Sequence, residues 1–357
     1  MNAFRRYSIS RIRLLPGRNK GNIKLTWIDK FRYDPIPPLM TSDYEAIRYL
    51  TARDLLREDL PHVETLWHMP EAQRILKNQE SDGYWIYSGK GRDYFLLATF
   101  KNLQTLIYKY GFDRSHPSIE KACEYLFTYQ TDEGDIRGFI GNQYAPYYTG
   151  IVTALLISAG YEDDERITDA LNWLLSVRQN DGGWVIGSPG ITGNPHLKLK
   201  DINYLTSDKY APTLPSYDKS LPFSHSGTGM VIRALTSHPV YRTNSETLKA
   251  ANLLKSHFFK EDNYSSYKDA DHWLRFQFPF WWNNLVAALD SLSLIGISSQ
   301  DNDVDNALKW LISNQNPDGL WKISYSAIHK SSTNKKSLEQ RLWITLAICR
   351  VFQRFYS

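Results

Sequence analysis

Four stretches of this chain repeat one another closely enough to dictate its architecture: residues 71–85 (EAQRILKNQESDGYW), 121–135 (KACEYLFTYQTDEGD), 169–184 (DALNWLLSVRQNDGGW) and 306–321 (NALKWLISNQNPDGLW). Each carries an Ala, an aromatic or aliphatic pair about three residues later, a Gln-like slot, and then an acid and a Gly. The apolar positions recur at helical spacing, so each stretch reads as an amphipathic helix buried along one side. The helix stops at Gly83, Gly134, Gly182 and Gly319, because Gly tolerates the left-handed backbone that a C-terminal cap needs.

A more apolar helix follows each stop, at residues 95–110, 148–159, 228–237, 285–295 and 342–355, and the segment 46–56 fits as a sixth. Helices that are apolar on most faces sit inside others. Amphipathic and apolar helices that alternate at a constant period describe an outer ring around an inner one. The expected fold class is therefore all-α, an α/α toroid of five to six helical hairpins. It forms one domain over residues 41–357, preceded by a basic arm at 1–40.

Loop lengths orient the ring. Connections from an inner helix to the next outer one are short, at 111–117, 160–166, 238–242 and 296–303, whereas those after each outer helix are long. The longest, Val185 to Pro222, is rich in Gly and Pro yet carries apolar anchors such as Ile191, Leu205 and Tyr210. It is expected to lie across the mouth at the inner-helix N-termini as a partial lid over a site that His225 faces. Insertions in repeat folds gather on one face, commonly the binding face.

Charge excludes some partners. The net +4 is a small difference between 42 basic and 38 acidic residues, too balanced to support a nucleic-acid binder without a clustered basic face, so nucleic acid is not expected. No apolar run is long enough to span a bilayer. The first 24 residues hold seven Arg and Lys and no acid, which suits a solvated terminus or a weak electrostatic contact with a membrane surface. Cys123 and Cys349 fall within helical patterns at no metal-like spacing, and they read as buried small hydrophobes in a cytoplasmic protein. Neither a cofactor nor a metal site is implied.

The runs Gln79 to Trp85 (QESDGYW) and Gln315 to Trp321 (QNPDGLW) resemble the QW repeat of the terpenoid cyclase and protein prenyltransferase superfamily, in which the Gln meets a Trp and locks neighbouring hairpins together. The other two copies depart from it. Arg178 holds the Gln slot of the third, with Gln179 one place late, and in the second Glu133 replaces Asp and no Trp follows Gly134. AIRYLTARDLL (46–56), FPFWWNNLVAALDSLSLIG (278–296) and LWITLAI (342–348) further resemble small prokaryotic squalene-cyclase-like proteins. Many of those carry Cys and His near the segment that here reads LPFSHSGTGM (221–230), which keeps His225 but has no Cys. The resemblance implies the fold, and it does not bring the reaction with it. The acidic DxDD cluster that protonates an alkene is absent, as are the metal-binding DDxxD and an Asp, Cys and His set for zinc. The acid-rich loops 162–166 and 301–305 lie on the opposite face and read as helix N-caps.

Aromatic and polar side chains gather where the inner helices begin: Asp93 and Tyr94; Tyr147 and Tyr148; His225; Phe280, Trp281, Trp282 and Asn283; Glu339, Arg341 and Trp343. The candidate ligand-binding residues are Tyr94, Tyr147, Tyr148, His225, Phe280, Trp281, Trp282, Asn283 and Trp343. Candidates for catalysis are His225, Tyr148, Asp93, Glu339 and Arg341. Consecutive Trp281 and Trp282 are not expected to share a face. Three readings stay open. The first is a protein binding a hydrophobic, isoprenoid-like small molecule in an aromatic-lined central cavity. The second is carbohydrate chemistry of the polysaccharide lyase or glycosidase kind, with Tyr148, His225, Asn283 and Arg341 converging at one mouth. The third is a non-catalytic scaffold that offers its long loops to a protein partner.

Overall fold

The computed structural model describes residues 26–86, 95–139, 145–186, 218–264, 269–323 and 335–357. Among these, α-helices alternate as outer and inner members of six hairpins. The pairs are α1 (Ile36–Met40) with α2 (Glu45–Asp54), α3 (Pro70–Lys77) with α4 (Phe95–Tyr110), and α5 (Pro117–Phe127) with α6 (Pro146–Leu156). Then come α7 (Glu165–Ser176) with α8 (His225–Ser237), α9 (Ser245–Lys255) with α10 (Leu285–Ile295), and α11 (Asn302–Ser313) with α12 (Lys335–Tyr356). Each even-numbered helix packs against the next, and α12 returns to α2, so the inner ring closes. The protein is an all-α toroid.

Burial follows the sequence pattern. Outer helix α5 buries Ile119, Ala122, Cys123, Leu126 and Phe127, the i, i+3, i+4, i+7, i+8 stripe of a one-sided helix. Inner helix α6 buries every residue from Tyr147 to Leu156 except Tyr148. The acid-rich short loops do act as caps: Asp164 accepts the Arg166 N–H at 3.0 Å and Asp301 the Asp303 N–H at 3.1 Å. Both cysteines are free and buried. No helix among the described residues is long and apolar enough to cross a membrane.

The repeat motif is a lock between hairpins. The indole N–H of Trp85, Trp184 and Trp321 donates to the carbonyl ten residues back, Ile75, Leu174 and Leu311, at 2.7–2.8 Å. Burying one such ring removes roughly 150–250 Å² from water, about 4–6 kcal/mol as an upper bound. A threonine of the following inner helix then accepts the N–H at this position: Thr99 from Trp85, Thr149 from Ile136, Thr228 from Trp184 and Thr345 from Trp321, at 2.9–3.4 Å. The Gln amide bridges to the next outer wall. Gln79 donates to the Ser118 carbonyl, Gln130 to Arg166 and Gln315 to Tyr33, each at 2.7 Å. In the third copy Arg178 makes this reach instead, as an ion pair with Glu246 at the start of α9.

The Gln315 bridge closes the ring onto residues expected in the N-terminal arm. Trp27 and Leu39 are fully buried, and the Phe31 ring lies 4.4 Å from Phe352. Residues 26–40 are therefore wall, because their apolar side chains have a core to enter, and the boundary anticipated at residue 40 lies further toward the N-terminus. The basic residues 1–25 lie outside the described residues. So does most of the Val185 to Pro222 insertion, together with its expected role as a lid. Its two ends do meet at one rim, where Ser224 N–H donates to Trp184 and Asn180 N–H to Lys219, at 2.9 and 2.8 Å.

Candidate functional site

Pro146 opens α6, which puts Tyr147 and Tyr148 in its first turn, and the irregular segment 278–284 runs into α10, where Asn284 caps the helix through the Ala287 N–H. These two starts bring the expected aromatics together. Tyr148 has its ring centroid 6.0 Å from Trp281 and 6.3 Å from Trp282, and Tyr147 stacks toward Trp282 at 6.4 Å. Both tryptophans thus join one cluster, against the expectation that neighbours in sequence would diverge. The chain at 281–282 is neither helix nor strand, so the rule of opposite faces does not apply there.

Three further residues complete the cluster. Phe139 stacks on Tyr148 at 4.6 Å, Phe100 of α4 meets Trp281 edge-on at 5.2 Å, and the Lys101 ammonium sits 5.5 Å over the Trp281 ring. Aromatic pairs in such offset and edge arrangements contribute about 0.5–1.5 kcal/mol each beyond area burial. Tyr148, Trp281, Trp282 and Phe139 are only half-buried. Burial pushes the Tyr148 phenol up to about 12, which keeps it protonated at neutral pH as a hydrogen-bond donor rather than a base.

Behind the cluster, the Phe280 carbonyl accepts from Gln104 of α4 at 2.9 Å and from Arg233 of α8 at 2.8 Å, which pins segment 278–282 across the ring. Phe278 stacks on Trp343 at 5.7 Å. Trp343 is buried and donates to Glu339 at 3.1 Å, while Glu339 is neutralised by Lys109 at 2.8 Å. Glu339 and Trp343 therefore form part of the α4–α12 packing rather than an open catalytic pair.

His225 lies elsewhere. Its ring stacks on Trp273 at 4.4 Å, its Nδ1 is 3.3 Å from Asp262, and it is 2 % exposed. Trp273 in turn packs on Phe258 and donates to Lys260, in the segment that joins α9 to α10. His225 thus packs against the segment that joins α9 to α10, and its ring contact is with Trp273 rather than with the aromatic cluster. Burial, with His272 and His257 nearby, holds the imidazole down to about 3. Burial also raises Asp262, against the Ser224 hydroxyl and the N–H groups of Ser226 and Tyr264 that donate to it.

Arg341 is committed to the fourth repeat, with Asp318 at 2.6 Å and the Trp321 carbonyl at 3.3 Å. The Asn283 amide donates to the His225 backbone carbonyl at 3.0 Å and fills the space over Gly229. Of Tyr148, His225, Asn283 and Arg341, Asn283 and His225 are thus joined through the backbone, while the Arg341 guanidinium is engaged by Asp318. Asp93 and Tyr94 lie outside the described residues. The sequence reading missed Phe100, Lys101, Gln104, Phe139 and Arg233. For Arg233 there was a signal, a single charge in the otherwise apolar run MVIRAL.

Residues 97–188, which cover nearly all of α4 through the third repeat, match the squalene-hopene cyclase C-terminal domain. Over this stretch, about a quarter of the chain, the sequence is similar to that family. Among solved structures, this toroid is similar to a polysaccharide lyase at 14 % identity, covering 92 % of this chain and 96 % of that one with a TM-score of 0.43. A type II terpene cyclase from Scytonema, in complex with its product merosterolic acid A, is 13 % identical over 78 % of this chain and 93 % of that one, with a TM-score of 0.31. A protein from Actinoplanes is 14 % identical over 83 % of this chain and 100 % of that one, with a TM-score of 0.29. No curated protein matches the sequence.

Proposed function

We propose that the toroid binds a hydrophobic, isoprenoid-like small molecule against the aromatic cluster at the inner-helix N-termini. The observation that carries this reading is the cluster itself. Tyr148, the Trp281–Trp282 pair and Phe139 come from three separate stretches of the chain, their contacting rings have centroids 4.6–6.3 Å apart, and all four residues are half-buried. An aromatic surface with few polar groups suits a long apolar ligand. Lys101 over Trp281 supplies one cation at its edge. The squalene-hopene cyclase match covers Phe100, Phe139, Tyr147 and Tyr148 and supports the isoprenoid class.

Thermal unfolding with farnesol, geranylgeraniol and a saturated alcohol of equal length tests the reading. The polyprenols should raise the Tm saturably, and Trp281→Ala with Trp282→Ala should remove most of that rise. A single well-filled aromatic contact contributes about 1–3 kcal/mol, about a five- to 150-fold change in Kd. No stabilisation by any polyprenol, or an undiminished one in the double variant, would exclude this site.

A further inference from the structure

The segment 278–282 divides the inside of the ring. Trp281 and Trp282 belong to the aromatic cluster, whereas Phe278 and Phe280 turn toward a cavity of about 230 Å³ on the other side, among the C-terminal halves of the inner helices. Tyr108 of α4, Arg233 of α8, Asp290 of α10 and Arg350 and Arg354 of α12 contribute its polar wall.

The charges in this cavity do not balance. Arg350 pairs with Asp54 at 2.5 Å, and Arg354 pairs with Asp290. Arg233 has no ion-pair partner of its own, because Asp290, whose charge it feels, is held by Arg354. One of its terminal nitrogens donates to the Phe280 carbonyl at 2.8 Å, and its Nε and Nη2 are buried with no hydrogen-bond partner. Those two nitrogens share one edge of the guanidinium plane, the edge that holds a carboxylate through two parallel N–H···O bonds. A guanidinium does not shed its proton at neutral pH, and burying it unpaired is unfavourable, so a guest that brings the negative charge is favoured. The nearby hydroxyls leave this donor role to Arg233: Ser158 donates to the Ala154 carbonyl at 2.9 Å, so Tyr108, 3.2 Å away, spends its proton on Ser158. Phe278, Phe280, Leu294 and Ala347 make the rest of the wall apolar.

We propose that this cavity binds a small organic carboxylate, with its two oxygens on the free edge of Arg233 and its apolar body against Phe278 and Phe280. The site is separate from the aromatic cluster and does not depend on what that cluster binds. Thermal unfolding of the full chain at constant ionic strength tests it, with acetate, benzoate and phenylacetate, the neutral isostere benzamide, and inorganic phosphate. At least one carboxylate should raise the Tm saturably by about 2–4 °C, with a much smaller effect from benzamide and from phosphate. Arg233→Met, of similar length and without charge, should abolish the response. If that variant does not fold, Leu294→Trp, which narrows the cavity and leaves Arg233 in place, should weaken it at least ten-fold. The proposal is overturned by no saturable response to any carboxylate, by benzamide or phosphate matching or exceeding the carboxylates, or by an unchanged response in whichever of the two variants folds.

Discussion

Two glycines one repeat apart isolate the contact that joins neighbouring hairpins. Gly134 and Gly182 occupy the same position of the turn with φ of +101° and +97°, so replacing either with Ala meets the same backbone penalty, about 1–2 kcal/mol. Their surroundings differ. A Cβ at Gly182 would meet nothing within 4 Å, whereas one at Gly134 would lie 2.5 Å from the Asp169 carbonyl oxygen and 2.8 Å from its carbon. Asp169 is backbone of outer helix α7, which can yield only if the whole hairpin shifts, and overpacking of this kind costs about 1–3 kcal/mol more. Gly182→Ala should therefore lose about 1–2 kcal/mol and Gly134→Ala about 2–5 kcal/mol. Urea unfolding followed by tryptophan fluorescence and circular dichroism, with equal m-values required, measures both. Gly83→Ala, whose Cβ would come 2.4 Å from the Lys121 carbonyl oxygen, should rank with Gly134→Ala. Equal losses at Gly134 and Gly182 would refute the idea that the hairpins are held in contact at the turn glycine.

Thr149→Val keeps the shape but leaves the buried Ile136 N–H without its 3.0 Å acceptor, so it should cost about 1–3 kcal/mol, and a loss below about 0.5 kcal/mol would remove threonine from the lock. Arg178→Gln should change stability by less than about 1 kcal/mol at low salt, and less still at high salt, since the Glu246 pair is partly solvated; a large salt-independent loss would contradict this. His225 is held down to about 3 in the folded state against about 6.5 unfolded, so its contribution is fully present above about pH 6.5 and is lost as pH falls toward 3, by at most about 1.4 kcal/mol per unit. The raised Asp262 carboxyl acts in the opposite sense and makes that slope shallower. His225→Gln should flatten the acid limb of a Tm against pH profile, and an unaltered limb would show that the imidazole is not the titrating group.

How much of this was legible in the sequence depends on whether the signal was periodic. The hairpins were, since a stripe such as Ile119, Ala122, Cys123, Leu126 and Phe127 repeats at helical spacing and each unit ends on a Gly that no other residue replaces cheaply. The threonines of the lock were not. Thr99, Thr149, Thr228 and Thr345 are single polar residues inside apolar helices, and only the fold shows that each accepts the N–H at the Trp position. The N-terminal boundary failed for a related reason. A run of Arg and Lys outweighed Trp27 and Leu39, whose burial depends on the far end of the chain arriving beside them.

The aromatic cluster was half legible. Tyr147, Tyr148, Trp281 and Trp282 stand at helix starts that share a mouth, which topology alone predicts. His225 stands at such a start as well, and yet its ring packs on Trp273 rather than on the cluster. A position at a helix N-terminus fixes the end of the ring at which a side chain lies, whereas its rotation about the helix axis is set by what packs on each side. Gly150 lets α6 approach α8 so closely that a Cβ there would come 2.9 Å from the Met230 carbonyl oxygen, and Asn283 fills the space over Gly229. With the α6 and α10 sides of α8 occupied in this way, the imidazole is left with the Asp262 and Trp273 side. If that account holds, Gly229→Ala should push Asn283 off α8, break its 3.0 Å bond to the His225 carbonyl and change the fluorescence of the neighbouring Trp282. Intact near-ultraviolet circular dichroism and unaltered tryptophan emission in that variant would mean that Asn283 does not set the position of the cluster.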